Sequence, residues 1–205
     1  MTGRATGRFP GFDALSQSQH WDQVTGDLVT ARTGPPPPPR FFTDSERSAA
    51  AALLNRLTGQ CDQPLGVPIA EMIDARLADG ETDGWHYADM PEDGQAWRET
   101  LGYLDKDAHA RCGAGFADSA APDQTAIIQA VQDSDEWHGL SAARVWSLWT
   151  RYACTALYSH PDAWSEMGFP GPAYPRGYKN AGVAKLEPFE VGDARPAEDP
   201  VGDDA

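Results

Sequence analysis

Positive charge is scarce in this 205-residue chain. Sixteen lysines and arginines stand against 31 aspartates and glutamates, a net charge of −15 at neutral pH. No basic footprint remains to neutralise a phosphate backbone, so nucleic acid is excluded as an expected partner. The acidic excess instead gives solubility and a sign preference for partners. Cysteine is equally thin. Cys61, Cys112 and Cys154 lie far apart, without the C-x-x-C of a redox or tetrahedral metal site or the C-x-x-C-H of covalent haem. They read as buried or free thiols. Long apolar runs are missing too. The richest span, Leu140 to Tyr158, is interrupted by Arg144 and Arg151, so no transmembrane segment is expected. The opening MTGRATGRFPGFDALSQSQHWDQ has neither an apolar h-region nor paired arginines, so no export signal is visible. No G-x-G-x-x-G follows a strand, and P-loop, G-x-S-x-G and H-E-x-x-H patterns are absent. Strand signals are sparse, and no internal repeat is evident.

Helix signals dominate what is present. In HWDQVTGDLVTAR, Trp21, Val24 and Leu28 fall at i, i+3 and i+7 and predict one narrow apolar face on a short helix. Five prolines, Pro35 to Pro39, favour a stiff polyproline II rod, read as a spacer, with a ligand for a proline-reading domain as the alternative. FFTDSERSAAAALLNRLTG carries its own start and stop: Thr43 as N-cap, Glu46 as its capping-box partner and Gly59 as the C-cap signal. Ala50, Leu53, Leu54 and Leu57 form its expected buried face. A second helix follows, with Ile69, Met72, Ile73 and Leu77 on one side, and weaker signals occupy Gln95 to Asp107 and Gln124 to Gln132. The strongest helix runs from Leu140 to Tyr158, where Arg144, Ser147, Arg151 and Thr155 leave only a thin polar stripe. Trp146, Trp149 and Tyr152 at helical spacing read as core. The expected fold is all-α, a small helical domain with extended, Pro/Gly-rich N- and C-terminal arms. Residues 1–40 form an arm with a short helix and the rod, 41–158 the helical domain, 159–190 a strap rich in aromatics, proline and glycine, and 191–205 an acidic disordered tail.

Little of this points to chemistry. Asp79, Glu81 and Asp83, with Gly84, match positions 1, 3, 5 and 6 of a calcium loop, but position 12 falls on Met90 where a bidentate carboxylate is needed. The segment is read as a solvated turn, with no metal site. His160 beside Asp162 and Glu166 suggests acid–base work, yet residues this close in an irregular segment rarely form a triad. His160 is read as fixing the turn before Pro161, and no catalytic residue is assigned.

The strap has the better functional case. In YSHPDAWSEMGFPGPAYPRGYKN, large aromatics sit on a backbone stiffened by Pro161, Pro170, Pro172 and Pro175. A stiff loop loses little entropy on docking, and Trp, Tyr and Arg are common interface anchors. Two readings stand, a docking element for a partner and a lid folded over the chain's own helices. The candidate partner-binding residues are Trp21, Ser159, His160, Trp164, Phe169, Pro170, Pro172, Tyr174, Pro175 and Tyr178.

The run GFPGPAYPRGY, preceded by WSLWTRYACTAL and upstream by FFTDSERSAAAALLNRL and EMIDARLADG, resembles the gluconate 2-dehydrogenase subunit 3 family over roughly Phe41 to Pro188. The resemblance implies a non-catalytic accessory subunit that supports folding, assembly and export of a separate large subunit of the glucose-methanol-choline oxidoreductase type. FAD and the sugar, sugar-acid or alcohol substrate are expected in that partner, with none bound by this chain, and a cytochrome c commonly accepts the electrons. Many relatives carry a twin-arginine signal. Its absence here implies a cytoplasmic chain, or one exported with a signal-bearing partner. The competing class is an independent small enzyme using His160 with Asp162 or Glu166.

Overall fold

Asp74 shows how the first long helices are held. The computed structural model describes residues 7–61, 64–180, 182 and 185–199, and their contacts divide into two units. The described residues of 36–157 form a central unit, and those of 1–35 and 158–205 form a terminal unit built from both ends of the chain. The division falls at Pro35/Pro36, inside the proline run. Residues 1–6 of the expected arm and 200–205 of the expected tail lie outside the described residues.

In the central unit, α2 (Asp44–Leu57) begins with the full capping box, Thr43 accepting from the Glu46 amide while the Glu46 carboxylate reaches back to Thr43. It ends as the sequence signals: Gly59 takes φ of 68°, and the Gln60 amide donates to the Asn55 carbonyl at 2.9 Å. α3 (Ile69–Ala78) packs on α2. α4 (Asp93–Cys112) packs on α2 and α5 (Ala121–Gln132). A two-residue hairpin, β1 (Glu136–Trp137) and β2 (Leu140–Ser141), leads into α6 (Ala142–Ser159). Leu53, Leu54, Ile73, Trp97, Leu101, Leu104, Val145, Trp149 and Tyr152 fill the core. Leu57 and Met72, expected on buried faces, are only half-buried, because Ala49 and Ala70 take the inner positions.

Two polar groups of α6 find partners on α4 within this core, whereas the Trp97 indole N–H has no acceptor among the described residues. The Trp149 indole N–H donates to Thr100 Oγ1 at 3.1 Å, and the Tyr152 hydroxyl donates to Asp93 Oδ2 at 2.6 Å. Burial, reinforced by Asp93, raises the Tyr152 pKa. Arg76 and Arg151 both pair with Asp83, and Arg151 also lies 3.6 Å from Asp93. Arg40 holds Asp79 through two bonds at 2.7 and 2.8 Å. Two of the three carboxylates of the half-formed calcium motif, Asp79 and Asp83, are therefore engaged by guanidinium groups. Among the described residues no cluster of acidic, His or Cys side chains is arranged to hold a metal, and no helix is long and apolar enough to cross a membrane.

The terminal unit departs further from the sequence expectation. A 3-10 helix, Ala14–His20, capped by Asp13, precedes α1 (Gln23–Ala31), capped by Asp22. The predicted face of α1 is wrong. Trp21 is buried with Val29, Ala14 and Trp164, whereas Val24 and Leu28 are 75% and 60% exposed. The strap also contains a helix that its prolines concealed. α7 (Pro161–Met167) starts with Pro161 at a position whose N–H needs no acceptor, and it packs against the 3-10 helix. Two glycines permit close approach. A Cβ on Gly171 would lie 2.4 Å from the Trp21 ring, and one on Gly168 2.5 Å from Phe9. Residues 193–198, expected as part of a disordered tail, meet the amino-terminal segment. Arg8 donates to Asp193 and to the carbonyls of Arg195 and Glu198, and the Ala194 amide donates to the Arg8 carbonyl.

The end of the proline run supplies a stability test. Buried Asp74 accepts three consecutive backbone amides, from Arg40 at 2.6 Å, Phe41 at 3.1 Å and Phe42 at 2.7 Å. Asp74→Ala leaves three N–H groups without this acceptor, and we expect a loss of about 3 kcal/mol or more in urea unfolding. A loss under about 1 kcal/mol would show that water replaces the carboxylate there.

Candidate partner-binding surface

The ten sequence-nominated residues all fall in the terminal unit, and burial sorts them into a frame and a surface. Trp164 is only 5% exposed, and its indole N–H donates to the Tyr158 carbonyl at 2.6 Å. Trp21 is buried against Gly171. Ser159 closes α6, and its carbonyl accepts from Arg32 at 2.8 Å. Pro170 is buried and Pro172 half-buried. These side chains hold the strap in place, and burial withdraws Trp21 and Trp164 from the open surface.

Tyr174 at 66% and Tyr178 at 56% are the open aromatics, with Pro175 exposed between them and Phe169 partly exposed. The Tyr174–Pro175 peptide bond is cis. Phe169 meets Trp164 edge-on at 5.4 Å, and Tyr178 leans on Phe189 at 5.8 Å. Sequence reasoning missed the polar groups that fix this surface. Glu187, buried, accepts the backbone amides of Lys179 and Asn180. Arg176 lies 3.8 Å over the Phe189 ring and donates to Gln17 at 3.1 Å. Glu187 and Phe189 lie beyond the most distinctive run, in a stretch without periodicity, so only their place in three dimensions reveals them.

His160 acts as a cap. Its Nδ1 accepts the Asp162 amide at 3.2 Å, its ring is 4% exposed, and the Asp162 carboxylate stands 3.7 Å away. The expectation of a turn-fixing histidine meets a helix N-cap here. Glu166 lies instead by Gly7, where a Cβ would be 3.2 Å from its Oε1. With its Nδ1 engaged and its ring enclosed, His160 is poorly placed for proton transfer to a substrate.

Burial lowers the His160 pKa below its usual value, partly opposed by Asp162 and by the Arg32 backbone, with the Arg32 charge adding to the depression. Between that lowered value and about 6.5 the unfolded chain takes a proton that the folded chain refuses, so stability is full above this window and lost as pH falls through it. Amide-exchange protection of α7 should therefore drop between about pH 7.5 and pH 5.5, and His160→Asn, which keeps an N-cap acceptor, should flatten that dependence. An unchanged pH response in the variant would remove His160 as its source.

Among known families, the model of gluconate 2-dehydrogenase subunit 3 matches residues 44–171, more than half of the chain. The match opens at the first turn of α2 and closes at Gly171. It takes in Ser159, His160, Trp164, Phe169 and Pro170, and leaves the Trp21 arm and Pro172, Tyr174, Pro175 and Tyr178 outside. The resemblance read to Pro188 is thus supported over its first and larger part. No curated protein and no solved structure matches the chain. The family's name describes a subunit of a dehydrogenase, and the helical fold over residues 44–171 agrees with the expected class. This chain belongs to the gluconate 2-dehydrogenase subunit 3 family.

Proposed function

We propose that the chain is a non-catalytic accessory subunit that binds, stabilises and helps assemble a separate FAD-dependent large subunit of the glucose-methanol-choline type. That partner oxidises a sugar, sugar acid or alcohol and passes electrons on, with a cytochrome c as the expected acceptor. FAD belongs to the partner, and this chain contributes surface. Family membership supports the subunit role.

The observation that carries the reading is the contrast within one short segment. Trp164 and Pro170 are buried and hold the strap, while Tyr174, Pro175 and Tyr178 stand open on it. Aromatics on a pre-ordered backbone dock with little loss of entropy, and tyrosine brings large area with only two rotatable bonds. The enzyme alternative has no comparable support, because His160 is enclosed and serves as a cap.

Two substitutions separate frame from surface. Trp164→Ala should cost about 3 kcal/mol or more of stability in the isolated chain, as truncation of a buried aromatic does. Tyr174→Ala should leave unfolding within about 0.5 kcal/mol of the parent and weaken association with the flavoprotein by about 2 kcal/mol or more, the scale of a hot-spot aromatic. Thermal unfolding beside co-purification measures both. Full affinity in Tyr174→Ala and in a Tyr174→Ala/Tyr178→Ala double variant would exclude this surface as the contact, and sugar oxidation by the purified chain alone would overturn the accessory role.

A further inference from the structure

Arg176 presents an unpaired guanidinium edge beside an open cleft. The cleft, about 670 Å³, lies in the terminal unit between the 3-10 helix and the segment 188–192, with walls of Phe12, Pro188, Phe189 and Val191. Its size falls within the range of small-molecule sites, roughly 300–1,000 Å³. Gln17, His20, Arg176 and Glu190 add polar groups to the lining. Arg176 is stacked on Phe189 at 3.8 Å, and its Nη1 donates to Gln17 Oε1 at 3.1 Å. Its Nε and Nη2 are buried and have no acceptor among the described residues. Glu190 does not fill the gap: its Oε2 accepts the Glu187 amide at 2.6 Å, and neither Nε nor Nη2 of Arg176 bonds its carboxylate.

Nε and Nη2 are the two parallel donors that a carboxylate meets side-on, and an unpaired buried charge of this kind is costly in a protein interior. We propose that the Arg176 cleft is a carboxylate-binding site, with the planar cation held flat by Phe189 and Gln17 so that its Nε–Nη2 edge takes both oxygens of the ligand. The edge is buried in this structure, so the carboxylate reaches it only when the packing over it opens. The carboxylate has two sources, a small organic acid or an aspartate or glutamate of the partner subunit. The second source rests on the accessory-subunit reading.

Calorimetric titration of the full chain with gluconate, against glucose as the uncharged control, tests the first source. Binding of gluconate alone, weakened about tenfold or more by Arg176→Lys, supports the site, because lysine keeps the charge but loses the fork. Glu190→Gln should tighten binding, since it retains an acceptor for Glu187 while removing a competing negative charge. It also decides the matter should the arginine variant fail to fold. For the second source, Arg176→Lys should weaken association with the flavoprotein about tenfold or more with unchanged melting. If gluconate does not bind and neither variant alters association, the proposal is overturned. If the parent chain does not associate with the flavoprotein at all, the accessory role fails, and the gluconate titration alone decides the site.

Discussion

Where Trp21 meets Gly171 there is no room for a side chain, and most of the terminal unit depends on that contact. Gly171 takes φ of 78°, a conformation that glycine adopts without strain. The indole seats against its backbone and closes over Ala14, Val29 and Trp164. Burying an indole removes roughly 150–250 Å² from water, worth about 4–6 kcal/mol before ordering costs. The solvent-screened Arg8–Asp193 pair contributes far less by comparison. The indole, then, joins the two ends of the chain, and the ion pair only trims the rim.

The central unit is stabilised differently. Its core is apolar and helical, but its irregular segments are held by buried acids. Asp74 gathers three amides where the proline run ends, and Asp93 accepts Tyr152 at the first turn of α4. Asp74 replaces backbone partners that its loop cannot provide for itself, and Asp93 satisfies a buried hydroxyl of α6. Arg40 then pairs with Asp79, and Arg76 and Arg151 with Asp83, in the segment after α3. A chain with a net charge of −15 thus uses part of its few cations to neutralise carboxylates near its core.

Local signals were legible where the local chain decides the outcome. Thr43, Glu46 and Gly59 marked both ends of α2, and Val145, Leu148, Trp149 and Tyr152 announced the buried face of α6, although Trp146, read as core, is only half-buried and Tyr158 stands exposed. The face of α1 was not legible, because which side of a short helix is buried depends on what arrives from elsewhere. Trp164 and Gly171, far along the sequence, select Trp21 and Val29 and leave Val24 and Leu28 outside. α7 was hidden because Pro161 reads as a breaker unless the preceding His160 is recognised as its cap. The candidate surface was half readable. The strap stood out by composition, but Trp164 and Tyr174 carry the same aromatic signal, and only burial assigns one to the frame and the other to the surface.

A unit made from both ends of a chain has to wait for its second half. The Ala14 amide finds its acceptor in Ser165, 151 residues later. At roughly 5–20 residues per second of synthesis, the amino-terminal segment emerges on the order of ten seconds before the segment that covers its tryptophan. During that interval the intervening helices are free to fold among themselves, while the Trp21 indole stays uncovered at the ribosome exit. A chaperone that reads exposed aromatics would meet this protein first at its amino terminus, and would be released when the carboxy-terminal segment arrives.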